Sequence, residues 1–151
     1  MIYADTSFIA SCYLTDVHTP QALIWLEKNQ PRLPFIFLHW PEMAKAITAA
    51  SANSEKDWEA LREDVGGGVK FTGADADANR IARRAAGLLR NFYPRWKKLR
   101  SLDAMHVAAA VEIGSKIFLS FDTNSYQRVL AKTQKLEIWP PLTDEEKSRL
   151  K

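Results

Sequence analysis

The chain has 151 residues, enough for one domain with a real hydrophobic core, and its 46% hydrophobic and 26% charged composition is that of a soluble globular protein. A single cysteine, Cys12, excludes an intrachain disulfide framework and a cysteine metal cluster, and the N-terminus lacks the basic n-region of a signal peptide. No apolar run approaches a membrane span, the net charge is only +3, and a reducing, cytoplasmic setting is expected.

Ile2 to Ala4 is a short apolar run, and Asp5-Thr6-Ser7 after it is a helix-start signal for a helix over Phe8 to Leu14. A second helix is expected over 20–29, with Ala22, Leu23, Leu26 and Trp25 inward. PFIFLHW, 34–40, is read as a strand bounded by Pro34 and Pro41, and Pro41 suits the first turn of a helix to Ala52. Ser54 is the expected cap of a helix to Val65, broken by Gly66-Gly67-Gly68, and Val69 to Phe71 is briefly extended.

A long helix follows over 74–92, ended by Pro94. Residues 80–100 hold Arg80, Arg83, Arg84, Arg90, Arg95, Lys97, Lys98 and Arg100 and no acid, so the rest of the chain is net acidic. Such a segment fits either a polyanionic partner or a solvated helix face. Ser101 is the expected cap of the next helix, which Gly114 stops. KIFLS, 116–120, is a strand, Asp122-Thr123-Asn124 starts a helix to Lys132, and Leu136 to Trp139 is the last strand. A polar tail after Pro141 is helical or loose. Strands alternating with helices predict parallel pairing and an α/β fold.

Four acids fall where this scheme places strand ends or helix starts: Asp5, Glu42, Asp103 and Asp122. Each has a plain structural role open to it, as a helix cap or as a charge matched to a helix dipole. Asp103 is the exception that decides. Leu102, Ala104, Met105 and Val107 surround it with apolar groups, and no basic residue lies inside its helix. An unpaired buried carboxylate costs several kcal/mol. The simplest compensation is a cation shared with other carboxylates, rather than a salt bridge. Acids converging at strand ends make a hard oxygen site suited to Mg²⁺ or Mn²⁺. His106, one turn on, either lines such a site or is a core histidine with one hydrogen bond, the commoner arrangement among apolar neighbours.

YADTSFIA at the N-terminus, PEMAKA after the second predicted strand, SLDAMHVAAAVEIG, and IFLSFDTNSYQRVL occur in order and at matching spacing. Through these pieces the chain resembles the PIN-domain family, and more narrowly the toxin ribonucleases of VapC type in toxin–antitoxin systems. The resemblance covers residues 1–140 and leaves 141–151 as a short tail. It implies a PIN-like three-layer sandwich around a central, mostly parallel twisted sheet. It also implies that Asp5, Glu42, Asp103 and Asp122 are the acidic quartet of a Mg²⁺- or Mn²⁺-dependent endoribonuclease. Thr6, Ser7, His106 and Asn124 become secondary residues lining the site. Phe121 stands directly before Asp122, where the family more commonly has threonine, so either Asp122 or Asn124 completes the set.

On the same resemblance the substrate is tRNA or rRNA, cut in loops where unpaired bases can be read. The basic segment becomes an RNA rim of Arg90, Tyr93, Arg95, Trp96, Lys97, Lys98 and Arg100, aromatics stacking on bases and cations tracking phosphates. The implied partners are RNA, a cognate VapB-type antitoxin and a second copy of the chain, with no membrane. Two other classes stay open: an acidic-pocket phosphoryl-transfer domain with Asp5 as nucleophile, for which Ser7 stands where a second acid is wanted, and a PIN-like module that binds RNA or protein without cutting.

Overall fold

A computed structural model describes residues 1–74 and 76–151, so Asp75, inside the span expected to begin the long basic helix, lies outside the described residues. In chain order the elements are β1 (Ile2–Ala4), α1 (Thr6–Tyr13), α2 (Thr19–Asn29), β2 (Leu33–Pro34), α3 (His39–Ala50), α4 (Ser54–Gly67), β3 (Phe71–Thr72), α5 (Ala78–Phe92), α6 (Ser101–Glu112), β4 (Ile117–Leu119), α7 (Gln127–Thr133), β5 (Glu137–Trp139) and α8 (Asp144–Arg149). The fold is α/β, with parallel strand pairs flanked by helices. The chain divides into two compact units, Met1–Tyr3 with Asp75–Lys151, and Ala4–Ala74.

Within Ala4–Ala74, β2 and β3 pair in parallel, Leu33 opposite Phe71 and Pro34 opposite Thr72. The strand expected over 34–40 stops at Pro34. His39 is the reason. Its Nδ1 accepts from the Ile36 amide at 3.0 Å, and its own amide donates to the Ile36 carbonyl, so residues 36–39 close into a turn and α3 begins there. Phe35, Ile36 and Leu38 are buried all the same, because an apolar run shows burial without showing conformation. The α2 face also departs from expectation: Ala22 is buried, Trp25 and Leu26 are half-buried, and Leu23 is exposed. Asn53, not Ser54, caps α4 by accepting from the Lys56 amide. Gly66 and Gly67 stay helical, and the helix ends at Gly68, whose φ of 67° favours a residue without Cβ.

A cavity of about 320 Å³ in this unit is lined by Cys12, Tyr13, Leu26, Leu33 and Phe71 among others. Burial pushes the Cys12 thiol up to about 12, with Asp16 adding to the rise. Burial, and then the hydrogen bond to Asp64, likewise raises the Tyr13 phenol.

In the other unit the sheet order is β1-β4-β5, with β4 and β5 parallel and Phe118 opposite Ile138. Helix α6 is buried through Ala104, Val107, Ala108, Ala109 and Ala110, and these small side chains let α5 pack closely on it. Helix α5 is strongly amphipathic: Ile81, Ala85 and Leu88 face inward, and its arginines face out. Asp77 caps it by accepting from the amides of Asn79 and Arg80.

The helix expected from Asp122 begins only at Gln127. Between them side chains take the backbone donors: Ser120 Oγ accepts from the Asp122 amide, Asp122 Oδ1 from the Ser125 amide, and Ser125 Oγ from the Gln127 amide. Local bonds of this kind compete with the helix. The tail is ordered into α8 by a capping box of Thr143 and Glu146. Glu146 forms an ion pair with Arg128 at 2.9 Å, both side chains fully buried, and the Arg128 guanidinium also donates to the carbonyls of Ser120, Pro140 and Pro141.

Two outcomes follow from these buried groups. Arg128→Met leaves the Glu146 carboxylate without its cation and should lower unfolding free energy by about 3–5 kcal/mol in urea titration. Cys12 should alkylate with iodoacetamide far more slowly at pH 8 than a free cysteine and reach the free rate only on unfolding, because the thiolate is the nucleophile.

Candidate active site

Asp5 sits where β1 ends, in extended backbone that lets it cap α1. Its Oδ1 accepts from the Phe8 amide at 3.1 Å and from Ser7 Oγ at 2.6 Å. Thr6, next in the chain, donates its hydroxyl to Glu42 Oε1 at 3.0 Å. Glu42 is half-buried in the first turn of α3. Both carboxylates therefore lie at helix N-termini, where the dipole favours negative charge. Asp5, Thr6, Ser7 and Glu42 form one polar group within Ala4–Ala74.

Asp103 lies in the first turn of α6 in the other unit and is 2% exposed. It is not without a basic partner. Arg100, at the cap position, donates its backbone amide and its Nε to Asp103 Oδ2 at 3.1 and 3.0 Å, and its Nη2 to Oδ1 at 3.0 Å. The same Nη2 reaches Asp122 Oδ2 at 3.2 Å. This corrects the expectation that no salt bridge stabilises Asp103. A search confined to the helix misses a residue that precedes it by one position, yet the cap residue is one turn from the third helical residue and can reach it. Arg100, expected on the RNA rim, stands instead on two of the carboxylates.

The other expected residues divide. Asn124 is exposed and Asp122 half-buried. His106 is buried and bonded through Nδ1 to the Tyr3 hydroxyl at 2.6 Å, a core position. Arg90, Arg95, Lys97 and Lys98 are exposed, and Tyr93, 45% exposed, carries Lys97 Nζ 5.0 Å from its ring centre. Trp96 is only 4% exposed and packs against Phe92 and Tyr126, so it is corrected from a base-stacking surface to a packing residue. Arg80 and Arg84 are ion-paired with Glu112 on α6, which offsets part of the basic segment.

Sequence reasoning missed the residues that hold the Asp122 loop. Arg149, on α8, donates to the carbonyls of Thr123 and Ser125 at 3.3 and 3.1 Å and lies over the Tyr126 ring. Arg128 donates to the Ser120 carbonyl at the start of the same loop. Nothing in a polar tail signals such contacts.

A family model for the PIN domain matches residues 2–132. The chain belongs to the PIN domain family. No curated protein matches it. PIN domains have a nuclease-type fold and are generally metal-dependent nucleases acting on RNA. The match ends before β5 and α8, so Glu146 and Arg149 lie outside it. Among the described residues no helix is long and apolar enough to cross a membrane.

Among the described residues, no group of three or more His, Cys, Asp or Glu side chains stands ready to hold a metal ion. The donor chemistry nevertheless fits a hard divalent ion of the kind PIN domains use. The acids supply carboxylate oxygen only, and Asp103 with Asp122 already retains a cationic group between its oxygens.

Arg149→Ala should loosen the loop without unfolding the protein. Hydrogen exchange at the amides of Asp122 and Ser125 should rise several-fold, while global stability falls by about 1 kcal/mol, the worth of ordinary hydrogen bonds.

Proposed function

We propose that this PIN-domain protein is a VapC-like endoribonuclease that hydrolyses phosphodiester bonds in tRNA or rRNA loops. Asp5, Glu42, Asp103 and Asp122 are its catalytic carboxylates and the holders of Mg²⁺ or Mn²⁺. The observation that carries the reading is the Asp103–Asp122 pair: a nearly fully buried carboxylate and its neighbour share one cation, in a chain whose family typically uses divalent metal ions. The four acids in family order support the rest.

When bound, the divalent ion supplies Lewis-acid polarisation of the phosphate and a more acidic water. The chain's own residues do the positioning. The Asp5 carboxylate is fixed by the Phe8 amide and Ser7 hydroxyl, which orient its oxygens before anything binds. Thr6 orients Glu42 in the same way. Asp122 is fixed through Oδ1 by the Ser125 amide, and Asn124 lies beside it in the same loop. No side chain has to become a covalent nucleophile.

The exposed cations Arg90, Arg95, Lys97 and Lys98, with Tyr93, form the RNA-contacting rim. Their charge offsets the repulsion between phosphate and a carboxylate-rich site. A VapB-type antitoxin neutralises the enzyme, a second copy completes a homodimer, and the enzyme works in the cytoplasm.

The test is cleavage of a pool of structured RNAs by the purified protein in Mg²⁺, Mn²⁺ or EDTA, with Asp5→Asn alongside. Metal-dependent cutting should fall about a hundredfold or more in the variant, since losing even a residue that only supports a metal ligand typically costs about 10–100-fold. Cutting that survives both EDTA and Asp5→Asn overturns the mechanism. Metal-independent RNA retention without cutting, in gel shift, identifies a binding module instead.

A further inference from the structure

Asp103 and Arg100 are mismatched in burial. The Asp103 side chain is 3% exposed, and the Arg100 side chain bound to it is 64% exposed. A buried carboxylate loses more on going unpaired than does a partner whose side chain is already mostly in water. The contacts have the same asymmetry. Arg100 covers both Asp103 oxygens through Nε and Nη2, and Nη2 also covers Asp122 Oδ2, so one fork spans the pair. The Arg100 backbone amide is a separate donor to Asp103 Oδ2 and stays in place wherever the side chain goes.

We propose that Arg100 is a placeholder cation: its guanidinium holds Asp103 and Asp122 together in the metal-free protein and yields that place to a divalent ion. The inference rests on the reading of these acids as metal ligands and adds the regulation of their loading. Two like charges within about 3 Å of the same oxygens repel strongly, so the guanidinium and a divalent ion exclude each other. Exchange is a swap of cations and leaves every covalent bond unchanged. It spares the metal-free protein the repulsion of two adjacent carboxylates, one of them buried. It also raises the metal concentration at which the site fills, because the ion must first displace the fork. The displaced Arg100 side chain belongs to the same loop as the exposed Arg95, Lys97 and Lys98.

The experiment is Mn²⁺ binding to the full chain by isothermal titration, with thermal melts of each protein with and without Mn²⁺. Arg100→Gln removes the charge and the fork, Arg100→Lys keeps the charge and loses the fork, and Lys132→Gln removes an exposed charge elsewhere in the same unit. Arg100→Gln should bind Mn²⁺ about tenfold tighter than the wild type, the factor that about 1.4 kcal/mol represents. Arg100→Lys should fall between the two, and Lys132→Gln should stay within about twofold of the wild type, since exposed charges are screened. The metal-free Arg100→Gln protein should melt below the wild type and gain more from saturating Mn²⁺. Equal or weaker Mn²⁺ binding by Arg100→Gln overturns the proposal. So does an equal gain in Lys132→Gln, which would make the effect one of net charge. If the placeholder role alone fails, the wild type still binds Mn²⁺ and Asp103→Asn loses it. If the metal-ligand reading fails, none of the proteins binds Mn²⁺.

Discussion

The burial of the Asp103 carboxylate is the constraint on which its pairing with Arg100 and Asp122 depends. Helix α6 is built from alanine and valine so that it can lie deep in its unit, and that depth brings the first-turn acid out of water with it. An unpaired charge there would oppose folding by several kcal/mol. The structure resolves the conflict with a cation from the chain itself, supplied one turn away by a side chain that is largely exposed. The arrangement reaches Asp122 through the same nitrogen, so one guanidinium joins an acid at the start of α6 to one just after β4.

Each of the other carboxylates is also oriented before anything binds. Asp5 spends one oxygen on the start of α1, Glu42 receives the Thr6 hydroxyl, and Asp122 closes a turn with the Ser125 amide. Structural and chemical roles are therefore not alternatives at these positions. A carboxylate has about four lone-pair sites, and one spent on a helix cap fixes the direction of the remainder. The capping that explains why an acid stands there also fixes the orientation of its carboxylate.

The loop from Ser120 to Tyr126 shows how far support for one acid extends. Its carbonyls are held by Arg128 from α7 and by Arg149 from α8, and Arg128 is in turn neutralised by the buried Glu146. Residues beyond the span matched to the PIN family thus bear on a loop inside it. Ser and Asp side chains in the loop satisfy its amides, which is why no helix forms before Gln127.

Much of this was legible in the residue order. The alternation of apolar runs and helix-start signals specified an α/β fold with parallel strands, and the residue order placed four acids near element starts, because capping chemistry and amphipathic period are local properties. Local signals misread 34–40 as a strand, since the bond from the Ile36 amide to the His39 ring is invisible in an apolar run. They also made Trp96 a surface aromatic, although Phe92 and Tyr126 enclose it. Tertiary structure alone decided what neutralises Asp103, what holds the Asp122 loop, and which parts of the basic segment remain exposed. The physical reason is common to all three: a charge or an aromatic ring takes its role from what surrounds it in space, and the partners Asp122, Tyr126 and Arg149 lie many residues away in the chain.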